Sequence, residues 1–291
     1  MRLLDGAFAN IYRSAPSPAG SAEMILHFAN SSCRRSRSTS TANKGISTIQ
    51  FLSVSVDPSN PKHLQGGNQD NGTFETCGAS TVWNQIIYGD GGQSGFNVGD
   101  STQRFNTFFA NYTDANFQNG DPSKWVVISG PLFAETSAFY KPIIAGSCRR
   151  RDDFCRRAER VRTQDWGGDQ TFLEANCPEF TTAGNQPGCG DFVQIGNGVP
   201  STDLTSSLWG DRSGGTVAAV VRSSADSDTM WAATSTGRVF FSSNADAAAG
   251  SVVWERLDSP FKRRSESIVS GITIDRRIQV TPGWYTQAIA P

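Results

Sequence analysis

Histidine is almost missing from this chain: its 291 residues include only His27 and His63. No His-x-x-x-His or Cys-x-x-Cys spacing occurs, so the sequence offers no zinc site, and no cofactor motif stands in its place. No run of 18 apolar residues is present, so no segment reads as a membrane span. Charge of one sign is missing as well: 26 basic and 27 acidic residues leave a net charge of −1. Such a balance gives no global pull toward nucleic acid or an anionic membrane. The one basic run, Arg149–Arg157, interleaves no aromatic except Phe154 and reads as a solvated loop. The first residues, Met1–Gly6, lack the apolar core of a secretory leader. That implies either a cytosolic protein or a start that lies further upstream.

What is present is β-forming sequence punctuated by turns. Hydrophobic residues make up 37%, and the 29 glycines bring the apolar share to an ordinary globular level. Ile49–Val56 is strand-like, with apolar residues at 52, 54 and 56 on one face. Short β-rich runs follow at Val82–Tyr88, Phe105–Tyr112 and Trp125–Ile128. The pattern is cleanest later, at Thr216–Val221, Thr229–Thr234, Arg238–Ser243 and Trp254–Leu257, and a new unit opens at Ser267–Asp275. First strands near 49, 217 and 268 leave room for units of roughly 45–55 residues, the period of propeller blades. Residues 1–44 read as a partial blade with a Ser/Arg-rich segment too polar to fold. Residues 45–291 read as blades, with an irregular insertion at 148–160.

Six cysteines are spaced irregularly. Cys177 and Cys189 flank a polar loop containing Gly and Pro, and are the pair best placed for a disulfide. Closing so short a loop contributes about 3 kcal/mol in the chain-entropy account.

The densest turn chemistry lies at Gly67-Asn68-Gln69-Asp70-Asn71-Gly72-Thr73 and Gly89-Asp90-Gly91-Gly92. Asn71-Gly72 is a strong hairpin signal, because both central residues of that turn take positive φ. Asp70 and Asp90 are the candidate catalytic acids: two carboxylates about 6.5–9.5 Å apart suit an inverting glycosidase. Gly91 and Gly92 would let a substrate approach the backbone. The structural alternative is that both aspartates only orient their own turns. Tryptophans pack between blades or stack on sugars, and Trp166 and Trp209, in Gly-rich turns, are the candidate ligand platforms.

Four pieces in order carry a resemblance: Val56–Pro61, Gly67–Thr73, Gly89–Gly92, and Gly237-Arg238-Val239-Phe240 with Trp254 downstream. The sequence resembles the sialidase-like propellers with BNR (Asp-box) repeats, in particular the sortilin-like branch and large secreted bacterial relatives. Thr163-Gln164-Asp165-Trp166-Gly167 matches the first half of the box, and Ser242–Asp246 with Trp254 is a degenerate copy. The resemblance implies an all-β, partial propeller of three to four four-stranded blades. In it the boxes, Asp165 and Gly167 included, lock the turn between a blade's third and fourth strands. It implies a secreted protein. A sialidase would need an arginine triad on one face, and Arg104, Arg212 and Arg238 are scattered in sequence.

The leading functional expectation is a non-catalytic module that presents loops from one propeller face to a protein or polysaccharide. The alternatives are a glycoside hydrolase, xyloglucanase-like, using Asp90 and Asp70, and a chaperone-like assembly factor.

Overall fold

A computed structural model describes residues 49–145 except 80, 136 and 137, residues 161–258 except 164, 182 and 224, and residue 272. The Ser/Arg-rich segment, the 148–160 insertion and nearly all of the 267–275 unit lie outside the described residues.

The fold is all-β, built from propeller blades. Three antiparallel sheets of four strands each run in simple up-and-down order. The first blade holds β1 (Ser53–Asp57), β2 (Asn60–Asn68), β3 (Gly72–Cys77) and β4 (Asn84–Ile87). The second holds β5 (Ser94–Phe96), β6 (Arg104–Thr107), β7 (Thr113–Asn116) and β8 (Trp125–Val127). Between it and the third blade lie a two-stranded hairpin, β9 (Val161–Arg162) with β10 (Val193–Gln194), and one short helix, α1 (Gln170–Asn176). The third blade holds β11 (Val217–Arg222), β12 (Met230–Thr234), β13 (Val239–Ser242) and β14 (Glu255–Arg256).

The strand runs form where apolar side chains can be buried on both sheet faces, as a blade sandwiched between neighbours requires. β12 and β13 are buried at every residue. The first and second blades meet through specific polar contacts. The Ser53 and Ser55 hydroxyls donate to the carbonyls of Gly92 and Ser94, at 2.8 and 2.6 Å. Gln65 Nε2 donates to the Phe105 carbonyl, and Thr73 Oγ1 to Asn106 Oδ1. The valines at 54 and 56, which share one apolar face of β1, are exposed, while Ser53 and Ser55 on the other face meet the second blade. Backbones approach too closely there for branched side chains, and hydroxyls bridge the gap instead.

A hydrophobic core under the second blade joins Phe105, Val126, Ile128, Trp166, Leu173 and the Cys177–Cys189 disulfide. The bridge closes a separation of 12 residues and holds the chain that lines β8, where Val127 N donates to the Cys177 carbonyl. Cys77 is disulfide-bonded as well. Substituting both Cys177 and Cys189 by serine is expected to lower unfolding stability by about 3 kcal/mol, read from urea unfolding, with a steeper slope because the unlinked denatured chain exposes more surface.

Candidate functional site

Antiparallel order divides the turns of every blade between two ends. The β2–β3 and β6–β7 turns and the β4–β5 connection share one end with the β12–β13 turn, and the third-to-fourth-strand turns lie at the other.

Asp70 and Asp90 both fall at the first end. Asp70 sits at the tip of the β2–β3 turn, exposed, with φ of 59°. Its backbone N–H donates to Asp90 Oδ1 at 2.9 Å. The turn departs from the expected form: positive φ falls on Asp70 and Gly72, not on Asn71 and Gly72. Asn68 pairs across the hairpin with Gly72, which leaves a loop of Gln69, Asp70 and Asn71. The Asn71 side chain closes it by donating to the Gln69 carbonyl at 2.7 Å. The second turn stacks directly on the first. Gly91 N donates to the Asn68 carbonyl at 2.9 Å, and Gly92 N to the Thr107 carbonyl at 2.7 Å. A Cβ on Gly67 would overlap the Gly92 carbonyl, and one on Gly91 would overlap the Gly72 carbonyl and the Asn68 amide. Gly67, Gly72, Gly91 and Gly92 therefore serve backbone-on-backbone packing. The Asp90 carboxylate ties the two turns together.

Tyr140 leans over this pair of turns, against Gly92. Burial, with the negative charges of Asp90 and Asp70, pushes its phenol up to about 12. Its hydroxyl is buried and has no hydrogen-bond partner among the described residues.

Trp166, expected at a ligand surface, lies in the core instead, 2% exposed and near Phe105. Its φ of 64°, followed by two glycines with positive φ, turns the ring inward, so it offers no stacking face. Trp209 is half-buried, edge-on to Phe240 with ring centroids 5.0 Å apart, and its carbonyl accepts from Arg256. Asp165 meets a second carboxyl group. Burial and the hydrogen-bonded, like-charged Asp165 push Asp191 up to about 7. A like charge beside a buried carboxyl favours its neutral form. Because Asp191 holds its proton more tightly folded than unfolded, this pair contributes stability below about pH 4 that is lost as pH rises toward 7. Asp191→Asn is expected to raise stability at pH 8 by about 1 kcal/mol and to change little at pH 4, checked by thermal melts at both.

Arg212 and Arg238 share one end of the third blade with Arg256, whereas Arg104 begins β6 at the opposite end of its own blade. None offers a free guanidinium. Arg212 and Arg256 pair with Asp258 and Asp211, and Arg238 donates to the carbonyls of Leu204, Ser206, Gly210 and Asp211.

In the third-to-fourth-strand turns, Asn116 with Trp125 in the second blade is a signal that sequence reading missed, whereas Ser242–Asp246 with Trp254 in the third was singled out. Asn116 Oδ1 accepts from the amides of Gln118 and Gly120, at 2.9 and 2.8 Å, and Gly120 has φ of 76°. Trp125 follows at the start of β8, and its indole donates to the Ile86 carbonyl of the first blade. In the third blade Asn244 Oδ1 accepts from Val253 N, and the Trp254 indole donates to the Ile195 carbonyl. Trp83, Trp125 and Trp254 each stand at or just before the start of their blade's fourth strand.

No protein family and no curated protein matches this sequence. Among solved structures the chain is similar to PorZ, a surface component of the type-IX secretion system of Porphyromonas gingivalis. Identity is 14% over 78% of this chain and 30% of that one, with a TM-score of 0.45. It is similar to a GH74 xyloglucanase from Xanthomonas campestris at 13% identity, over 77% of this chain and 34% of that one, with a TM-score of 0.47. It is similar to YCF48 from Cyanidioschyzon merolae at 10% identity, over 73% and 60%, with a TM-score of 0.38. All three are β-propellers. The chain spans about a third of the PorZ and xyloglucanase chains. No helix among the described residues is long and apolar enough to cross a membrane.

Proposed function

We propose that this chain is a non-catalytic propeller module that presents one end of its blades to a ligand. The observation behind this reading is a group of exposed aromatic rings beside the Asp70 and Asp90 turns, at the end where the β2–β3, β4–β5 and β6–β7 loops gather. Phe109, Tyr112 and Phe139 are all exposed there. Soluble proteins rarely leave contiguous apolar patches of this kind without a partner. The third-to-fourth-strand turns, with Asn116 and Asn244 in the carboxylate position and Trp125 and Trp254 behind them, are degenerate Asp-boxes in this reading. They pin blades at the opposite end and take no part in binding.

The competing reading is a glycoside hydrolase with Asp90 and Asp70 as its two acids, favoured by two carboxylates in adjoining turns. Against it, Asp90 Oδ1 accepts from the Asp70 amide, the turn-orienting role that requires no catalysis. A reducing-sugar assay on a panel of plant and bacterial polysaccharides separates the two. No release is expected from the full chain. Release that disappears in Asp90→Asn, which keeps the Oδ1 acceptor, would establish the hydrolase instead.

A further inference from the structure

The aromatic group on the second blade is a cup, not a floor. Phe109 lies 5.5 Å from Tyr112 and 6.2 Å from Phe139, centroid to centroid. Tyr112 continues to Phe133 at 5.2 Å, and Phe139 stands perpendicular to Tyr140 at 4.8 Å. Neighbouring rings are tilted by 28° to 89°. The 138–140 segment is fixed beside the β6–β7 loop by the Ala110 amide, which donates to the Phe139 carbonyl, and by a bridge from Ala110 to Tyr140. The rings are therefore held in place while their outer faces stay open. Phe139 is 57% exposed and Phe109 46%.

Among the described residues the turns that gather at this end of the first two blades carry acidic groups: Asp70, Asp90 and Glu135, the last already accepting from Gln194 Nε2. Lys141, the nearest cation in sequence, is buried and spends its ammonium on the Asn111 carbonyl. Tyr140 joins the two features, touching Gly92 on the acidic side and Phe139 on the aromatic side.

Resting on the binding-module reading, we propose that this cup and its acidic rim dock an arginine-bearing, partly apolar protein segment. A guanidinium is the group that both halves of the surface recognise. It stacks on ring faces, and it pairs with carboxylates through parallel N–H donors. Aliphatic neighbours in the segment would fill the space between the tilted rings. A pyranose chain fits less well: sugar platforms need a flat open face, and no tryptophan among the described residues is fully exposed.

The test uses the purified full chain and fluorescein-labelled peptides in polarisation titrations. A peptide alternating arginine with leucine is expected to bind, and one with glutamate in place of arginine is not. Binding should weaken as salt rises. The Asp70→Asn/Asp90→Asn double variant and the Phe109→Ala/Phe139→Ala double variant should each weaken it by about tenfold or more. Both should fold, since asparagine keeps the Oδ1 acceptor and tolerates positive φ at position 70, and the two phenylalanines are exposed. Asp121→Asn, in the β7–β8 turn at the opposite end, should bind as the parent does. The proposal is overturned if the arginine peptide does not bind, or if Asp121→Asn weakens it as much as the rim variant. It is also overturned if a glycan array gives a signal that the phenylalanine variant abolishes and the aspartate variant retains. That last result would leave the binding-module reading intact and replace its partner by a carbohydrate, whereas reducing-sugar release would remove the module reading itself.

Discussion

Glu75→Ala is expected to destabilise the chain by about 3–5 kcal/mol, among the largest effects of any single substitution here. Glu75 lies at the centre of a buried polar chain that fastens the first blade to the second. His63 places Nδ1 2.9 Å from Asp57 Oδ2 and Nε2 2.9 Å from Glu75 Oε2. The same Glu75 oxygen accepts from Arg104 Nη1 at 2.5 Å, across from β3 to β6. Arg104 is 1% exposed, lies 5.2 Å from the centre of the Phe96 ring, and donates its other terminal nitrogen to Asn119 Oδ1. Removing the Glu75 carboxylate strands a buried guanidinium and one face of a buried imidazole together. Urea unfolding monitored by tryptophan fluorescence checks the value, and a loss below about 1 kcal/mol would mean that solvent reaches the site freely. Glu75→Gln should recover part of the loss, since its amide oxygen still accepts from one donor but carries no charge.

The same network sets an acid limit. Burial alone would push both carboxyls up. Hydrogen bonds from the Ser59 hydroxyl and amide, His63 and Ser101 overcome it at Asp57 and hold that group at about 2. At Glu75 the His63 hydrogen bond and the Arg104 charge overcome burial, so it too lies below its usual value. Carboxyls depressed by folding contribute stability that is full above the unfolded range, near pH 4, and is lost as pH falls toward the folded values. Stability measured at pH 7, 4 and 2.5 should therefore fall mainly in the last interval, and Asp57→Asn should flatten that fall.

Much of the architecture was legible because blades obey local rules. Alternation and turn residues mark β11 through β14 closely, and Gly237 closes its hairpin with φ of 87° where the sequence puts a turn. In the first blade the turn glycines at 67, 72, 91 and 92 stood out, but β2 and β3 were not read as strands, because their small and polar residues show no clear apolar alternation. What the residues could not convey was which side of a strand faces a neighbour. Val54 and Val56 read as one apolar face of a strand, yet contact between the blades runs through Ser53 and Ser55. Trp166 read as a surface platform because glycines follow it, yet those glycines are what swing its ring inward. The aromatic cup was hidden for a different reason. Phe109, Tyr112 and Phe139 come from a hairpin loop and from a segment that crosses back over it, so no periodicity links them. Likewise His63, Glu75 and Arg104 are ordinary strand residues in sequence, and only register pairing of β2 with β3, and packing of β6 against them, makes them a network.

Arg238→Met should match the Glu75 loss, again by about 3–5 kcal/mol, through a different mechanism. Arg238 immediately precedes β13 and is fully buried. Its Nη1 donates to the carbonyls of Leu204 and Ser206 at 3.0 and 2.8 Å, its Nη2 to Gly210 and its Nε to Asp211, both at 2.7 Å. One side chain thus gathers four carbonyls of the 204–211 loop, of which that of Ser206 also accepts from Trp209 N. Methionine fills similar volume but withdraws the donors from all four, leaving the buried Leu204 carbonyl without its partner. Lysine keeps the charge and still fails, because one ammonium cannot span acceptors arranged for a planar fork. Arg238→Lys should therefore recover less than half of the loss. Local opening is the more specific signature: amide exchange should accelerate in the 204–216 loop before the β12–β13 core is affected. Equal recovery by lysine, or uniform exchange across the blade, would show that the loop is held by its packing around Leu204 and Trp209 and not by the guanidinium.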